Sequence, residues 1–207
     1  MKKYSTYLFD FDGTLVDSYD SLVKIFEGAY NSVGVSVPDG YVLRLMRIPL
    51  RQGYKELHGP NDEESINLFA SQITALLEDE PILRLTKQYE EVLDTLYRLK
   101  NEGATLGIVT SNDVEHVKKV LEFLNIPENL FSVIVGSYDT KKHKPHPDPI
   151  LKALERLNIS KSGVCYVGDA LADKLAAINA GVDDILLDRY HEYESESGVK
   201  IKLLSEL

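Results

Sequence analysis

The decapeptide Phe9-Asp10-Phe11-Asp12-Gly13-Thr14-Leu15-Val16-Asp17-Ser18 holds the densest chemistry in the chain. Tyr7, Leu8 and Phe9 lead into it as a short buried strand. Side chains on a strand alternate between faces. The pattern therefore sets Asp10 and Asp12 on one side and Phe9 and Phe11 on the other. Gly13 breaks the strand and Thr14 begins a turn. Two adjacent carboxylates repel, and they persist only with a cation, a proton or a strong donor between them. Taken alone, the pair is a strand-capping turn, a passive cation site or the centre of a reaction.

Other polar residues favour the last of these. An apolar run from Ala104 to Val109 ends in Thr110, Ser111 and Asn112. Phe131 to Val135 is followed by Lys141, Lys142, His143, Lys144 and Pro145. Val164 to Val167 ends in Gly168 and Asp169, with Asp173 one helical turn further on. Carboxylates, a hydroxyl and a lysine at strand ends describe a Mg²⁺-dependent phosphoryl-transfer site. Mg²⁺ takes carboxylate and water oxygens and shares its shell with substrate phosphate. Lysine and hydroxyl groups hold the equatorial oxygens as charge develops. Singly, several of these residues have plainer uses. Thr110 suits a helix start, Asn112 with Glu115 three residues on suits a helix N-cap, and Asp169 suits another cap. Spacing alone leaves Lys141 and Lys142 level with Lys144, because charge runs mark solvated loops. None of the 5 histidines has metal-ligand spacing.

These residues need a scaffold. Val114, Val117, Leu121 and Leu124 predict a helix, as do Ile150, Leu151, Leu154 and Leu157 behind Asp148-Pro149. Leu171, Leu175 and Ile178 mark a further helix, closed by Gly181. Ile185 to Leu187 is another strand. The alternation predicts a mostly parallel sheet covered on both faces, and ligands bind such sheets beyond the carboxyl ends of the strands. Between Asp17 and Leu85 the pattern is helical throughout. Leu22, Phe26, Ala29, Tyr30 and Val33 form one helix. Asn61 caps a second that carries Leu68, Phe69, Ile73, Leu76 and Leu77. The chain returns through Tyr89, Val92, Leu93, Leu96 and Leu99. The expected organisation is an α/β core with a three-layer, Rossmann-like parallel sheet at residues 1–16 and 86–207. An all-helical cap subdomain is inserted at 17–85.

Composition narrows the functions. A net charge of −10 argues against a nucleic-acid surface, so an anionic substrate must be attracted locally. No apolar run reaches membrane-spanning length. The single cysteine, Cys165, precludes an internal disulfide. Its apolar neighbours make it a buried structural thiol, and the expected location is the cytoplasm.

Asp10-Phe11-Asp12-Gly13-Thr14, Thr110, Lys144-Pro145 and Gly168-Asp169 with Asp173 resemble the four ordered motifs of the haloacid dehalogenase superfamily. The likeness spans the whole chain and is nearest the phosphoglycolate phosphatase-like group with a small helical cap. Asp17-Ser18 and the segment Ile48 to Gly53 support that group. Arg47 stands where a glycine is common, and Leu83 to Lys87 lacks the usual Pro-Gly. The resemblance implies that Asp10 is the nucleophile, forming an aspartyl-phosphate, and Asp12 the acid–base. Mg²⁺ would be held by Asp10, the backbone carbonyl of Asp12 and Asp169. Thr110, Ser111 and Lys144 would bind the phosphoryl group, with Asp173 and Asn112 in support. Arg47 and Arg51 are cap candidates for substrate recognition, with Lys55 and His58 behind them. The implied activity is hydrolysis of a small phosphorylated metabolite, phosphoglycolate-like or a sugar phosphate. Alternatives within the superfamily are a β-phosphoglucomutase-like phosphosugar mutase and a pyrophosphatase or nucleotidase. Asp12 speaks against a dehalogenase, which needs no acid for an alcohol leaving group. The presence of both carboxylates speaks against a non-catalytic binding protein.

Overall fold

The computed structural model describes residues 2–46, 48, 50–57 and 61–207. The chain divides into two compact units, 1–17 with 88–207, and 18–87. The larger unit is built on a sheet of six parallel strands. These are β1 (Thr6–Phe9), β4 (Thr105–Val109), β5 (Val133–Val135), β6 (Val164–Gly168), β7 (Asp183–Leu187) and β8 (Val199–Ile201), in the order β5-β4-β1-β6-β7-β8. Two short strands, β2 (Val16–Asp17) and β3 (Lys87–Gln88), pair separately. Because β1 pairs in parallel with both β4 and β6, the carboxyl ends of all three lie on one edge of the sheet.

Helices α6 (Val92–Asn101), α7 (Val114–Phe123), α8 (Asp148–Leu157) and α9 (Leu171–Ala180) fall between the strands. Helices α8 and α9 pack with Leu8, Val133, Val135, Val164 and Tyr166 in one apolar cluster. Tyr7 and Phe9 point the other way by alternation, yet they are equally buried, so both faces of the sheet are covered. This is the expected α/β architecture.

Several local expectations are corrected. β8 had no counterpart in the sequence reading. Helix α9 is present, but Leu171, Leu175 and Ile178 face solvent, and Ala176, Ala177 and Ala180 are its buried side. Small side chains let the helix lie close against the sheet, and closeness here outweighs the larger apolar stripe. Helix α7 is capped by Asp113, whose carboxylate accepts from the Glu115 amide, and not by Asn112. Strand β1 ends at Phe9, so Asp10 and Asp12 belong to the loop that follows, and the pleat does not align them.

The smaller unit is helical in its described residues up to Thr86: α1 (Tyr19–Ser32), α2 (Val42–Met46), α3 (Leu50–Glu56), α4 (Glu63–Leu77) and α5 (Glu80–Leu83). Its core is an aromatic cluster. The Tyr30 and Tyr54 rings lie 4.7 and 4.8 Å from Phe69, flanked by Phe26, Ala29, Val42 and Leu45. Helix α4 is capped by Asp62, which accepts from the Ser65 amide, rather than by Asn61. Among the described residues no helix is long and apolar enough to cross a membrane.

Candidate active site

Strand β1 ends at the sheet centre, and Asp10 is the first residue beyond it. Its amide donates to the Val167 carbonyl at 2.9 Å, which extends the ladder by one bond and fixes its backbone. The Asp10 carboxylate meets the ammonium of Lys144 at 2.8 Å. Lys144 also reaches Asp173 at 2.6 Å and the Tyr166 hydroxyl at 3.1 Å. An ammonium has three protons, and these three partners account for all of them. Lys144 therefore organises the carboxylates first. To hold a phosphoryl oxygen it must exchange one of these partners.

Asp173 and Asp169 frame the other side. Asp173 is buried at the start of α9, where its second oxygen accepts from the Ala170 amide at 3.0 Å. Gly168 makes room for it, since a Cβ there would lie 2.5 Å from the Asp173 side chain. Asp169 accepts from the Thr14 hydroxyl at 3.3 Å. Gly13 has φ +73°, and a Cβ on it would meet the Asp169 carboxylate at 2.5 Å. Both the positive φ and the close approach demand glycine.

The electrostatics follow from this crowding. Burial pushes the Asp10 carboxyl well above its ordinary range. The charges of Asp173 and Asp169 push it further, against the opposing pull of Lys144. Burial alone would lower Lys144, but Asp10 and Asp173 overcome it and hold the ammonium well above its ordinary pKa. Asp10 is thus crowded chiefly by Asp173 and Asp169.

Among the described residues, oxygens of Asp10, Asp169 and Asp173 lie within 4.8 Å of one another. Three carboxylates against one ammonium leave an excess of negative charge. The donor set is all hard oxygen. Both facts fit a divalent cation of the Mg²⁺ type. The Asp12 side chain is outside this cluster and turns to Asn112, whose amide nitrogen donates to its Oδ2 at 2.5 Å. The Thr110 amide donates to Val135 at 2.9 Å, and its buried hydroxyl oxygen accepts from the Asn112 amide at 3.1 Å. That leaves the hydroxyl proton as the group Thr110 can offer an anion. Ser111 is exposed at the same strand end.

Lys141, Lys142 and His143 are exposed, and Lys142 lies 3.2 Å from the His146 ring. Of the three lysines, Lys144 alone joins the carboxylates. Cys165 is buried, and burial pushes its thiol up, as a structural cysteine requires. In the smaller unit Arg51 and Lys55 are exposed on α3, while Arg47 and His58 lie outside the described residues.

Tyr166 escaped the sequence reading. Its hydroxyl accepts from Lys144 and donates to the Val109 carbonyl at 2.8 Å, which links the lysine to the end of β4. One signal was available: a tyrosine inside a wholly buried strand must find a partner for its hydroxyl.

The comparisons with known proteins agree with this geometry. Residues 7–187 match the model of the haloacid dehalogenase-like hydrolase family. A pyrophosphatase PpaX from Bacillus cereus is 32% identical, covering 86% of this chain and 81% of the relative. A phosphoglycolate phosphatase from Aquifex aeolicus is 32% identical, covering 86% and 82%. A solved structure from Bacteroides fragilis, described as a haloacid dehalogenase-like hydrolase, superposes with a TM-score of 0.88. It is 26% identical over 99% of this chain and all of that one. A match running from the strand before Asp10 to the end of β7 spans every strand that contributes to the site, and the chain belongs to the haloacid dehalogenase-like hydrolase family.

Proposed function

We propose that this hydrolase is a Mg²⁺-dependent phosphatase of small phosphomonoesters, working through an aspartyl-phosphate on Asp10. The observation that carries the reading is the separation of two neighbouring carboxylates into different environments. Asp10 is gripped by Lys144 beside Asp169 and Asp173, while Asp12 is held apart by Asn112. One arrangement suits a nucleophile and the other an acid–base.

In this reading an oxygen of Asp10 attacks phosphorus as the bond to the leaving oxygen breaks. Asp12 gives its proton to that leaving oxygen. Asp12, now a carboxylate, then takes a proton from water. The hydroxide oxygen bonds to phosphorus, the Asp10–phosphorus bond breaks, and inorganic phosphate leaves with Asp10 regenerated. Asp10, Asp169 and the Asp12 carbonyl would hold Mg²⁺, which would supply positive charge to the transferring phosphoryl oxygens when bound. Thr110 donates its hydroxyl to one of those oxygens, with Ser111 beside it. Lys144 keeps Asp10 aligned and offsets carboxylate charge, and Asp173 holds Lys144 in turn. The helical unit is the part assigned to substrate selection, with Arg51 as its candidate residue.

The names of the relatives support two substrate classes, phosphoglycolate-like monoesters and inorganic pyrophosphate. Both have an anionic leaving group. The test is phosphate release from p-nitrophenyl phosphate, 2-phosphoglycolate, sugar phosphates and pyrophosphate, with Mg²⁺ and with EDTA. Mg²⁺-dependent release that vanishes in Asp10→Asn is expected, together with inhibition by beryllofluoride. Metal-independent turnover, or substantial turnover in Asp10→Asn, would sink the mechanism.

A further inference from the structure

Arg189 follows β7 and is far from the motifs in sequence, yet it is one of the most heavily engaged side chains in the larger unit. Its guanidinium donates to the Thr14 carbonyl at 3.1 Å and, more weakly, to the Gly13 carbonyl at 3.4 Å. It pairs with Glu91 at 2.6 Å and lies 3.7 Å above the centre of the Tyr89 ring. The arginine side chain is 7% exposed and its Glu91 partner 16%. The backbone that carries it is anchored too. The Asp188 amide donates to the Ile201 carbonyl, and the Asp188 carboxylate accepts from the amides of Glu192 and Tyr193 at 2.8 and 3.2 Å.

We propose that Arg189 is a positioning residue for the hydrolytic reaction, clamping the loop that carries Asp12, Gly13 and Thr14 to the returning segment at 89–91. The role in catalysis rests on the phosphatase reading; the clamp itself does not.

Three observations carry it. First, Thr14 offers its carbonyl to Arg189 and its hydroxyl to Asp169, so the arginine is two contacts from a candidate metal ligand. Second, the loop runs close to the Asp169 carboxylate, since a Cβ on Gly13 would lie 2.5 Å from it. Its internal bonds, Gly13 to Val16 at 2.8 Å and Leu15 to Phe11 at 2.8 Å, tie the loop to itself and not to the sheet. Third, the geometry needs a planar fork. Two adjacent carbonyls, a carboxylate and a ring face are met at once by a guanidinium, and an ammonium cannot do the same.

The experiment compares Arg189→Gln and Arg189→Lys with wild type by hydrogen exchange and by steady-state kinetics. Lysine keeps the charge against Glu91 and Tyr89, so it tests the fork if the glutamine variant does not fold. The expected result is exchange at the amides of residues 13–16 faster by about tenfold or more, the size of one lost charge-assisted hydrogen bond. Exchange in β6 and α8 stays unchanged. In the same variants kcat falls on the order of tenfold to a hundredfold with little change in KM, as expected when reacting groups are misplaced. Unchanged exchange at 13–16 overturns the clamp. Faster exchange with kcat at the wild-type value overturns the catalytic role. Faster exchange throughout the core means that Arg189 serves general stability, and this also overturns it. If wild type releases no phosphate from any ester, the phosphatase reading fails, and the exchange measurement alone decides whether Arg189 holds the loop.

Discussion

Asn112 donates its side-chain amide to Oδ2 of Asp12 across a 2.5 Å hydrogen bond, joining residues 100 positions apart in sequence. The Asn112 backbone amide is itself held by the Thr110 hydroxyl at 3.1 Å, so the donor is fixed before it reaches Asp12. Asp12 is thus oriented from the end of β4 by a contact that does not involve Lys144, while Asp10 is held by Lys144. An acid–base group must sit within hydrogen-bond reach of the atom it serves, and general acid–base catalysis is worth about 10²–10⁴-fold. Asn112→Ala should forfeit a part of that, about tenfold in kcat, with little change in KM. Asn112→Asp should cost more, because it sets a second carboxylate against Asp12. Steady-state kinetics with p-nitrophenyl phosphate measure both; equal rates for wild type and Asn112→Ala would remove Asn112 from the mechanism.

Much of the site was legible because a parallel α/β sheet gathers its strand ends on one edge. Asp10, Thr110, Asp169 and Lys144 each follow a strand that the apolar runs predict, and the sheet brings those runs together. What was not legible is of two kinds. Near ties in local chemistry went the wrong way: Asn112 and Asp113 are both good caps, as are Asn61 and Asp62, and in each pair the aspartate caps. Contacts set by tertiary packing left no local trace. Tyr166 bonds a carbonyl 57 residues away, and Arg189 bonds one 175 residues away. Helix α9 misleads by periodicity, because its leucines form the better stripe and its alanines form the better contact.

Asp10→Asn should separate stability from turnover. Under the proposed mechanism turnover should vanish. Stability without metal should hold or rise, because burial and the charges of Asp173 and Asp169 disfavour ionised Asp10 even beside Lys144. The sign is fixed by linkage. With a folded pKa above the ordinary 3.8, the native state keeps a proton that the unfolded chain has released. Metal-free stability therefore falls as pH rises from about 4 through that window. The Lys144 contribution stays constant there, since its folded pKa lies above 10.5 and is lost only in stronger alkali. Denaturation of metal-free wild type and Asp10→Asn across pH should show the two curves diverging as pH rises; parallel curves would show that Asp10 carries no such strain.

Divalent metal should reverse that cost. Mg²⁺ and a proton compete for Asp10, so the rise in Tm on adding Mg²⁺ should grow as pH rises above the ordinary carboxylate range. The rise should shrink in Asp169→Asn, which removes one of the three clustered carboxylates. Thermal melts with Mg²⁺ and with EDTA measure it. A metal-induced shift that is flat in pH, or unaltered in Asp169→Asn, would place the cation elsewhere.

Gly13→Ala should damage metal binding before it damages the fold. An L residue at φ +73° costs about 1–2 kcal/mol in backbone strain. The added methyl would also lie 2.5 Å from Asp169 Oδ2, and relief requires the carboxylate or the loop to move. The expected variant is folded, modestly destabilised, and needs far more Mg²⁺ to reach half-maximal rate. A Mg²⁺ titration of activity that matches wild type would mean the loop and Asp169 are not in the contact described.

Tyr166→Phe tests the anchor of the lysine. The hydroxyl accepts from Lys144 at 3.1 Å and donates to the Val109 carbonyl at 2.8 Å, and the residue is wholly buried. Phenylalanine fills the same space but strands a buried carbonyl and one ammonium proton. An unsatisfied buried group costs about 1–3 kcal/mol, so urea unfolding should register a loss of that size. Lys144 keeps its bonds to Asp10 and Asp173, so Asp10 stays aligned and kcat should fall far less than in Asp10→Asn. A stability loss with modest loss of rate fits an anchor. A rate loss as deep as that of Asp10→Asn, with stability unchanged, would instead make the hydroxyl a participant in the chemistry.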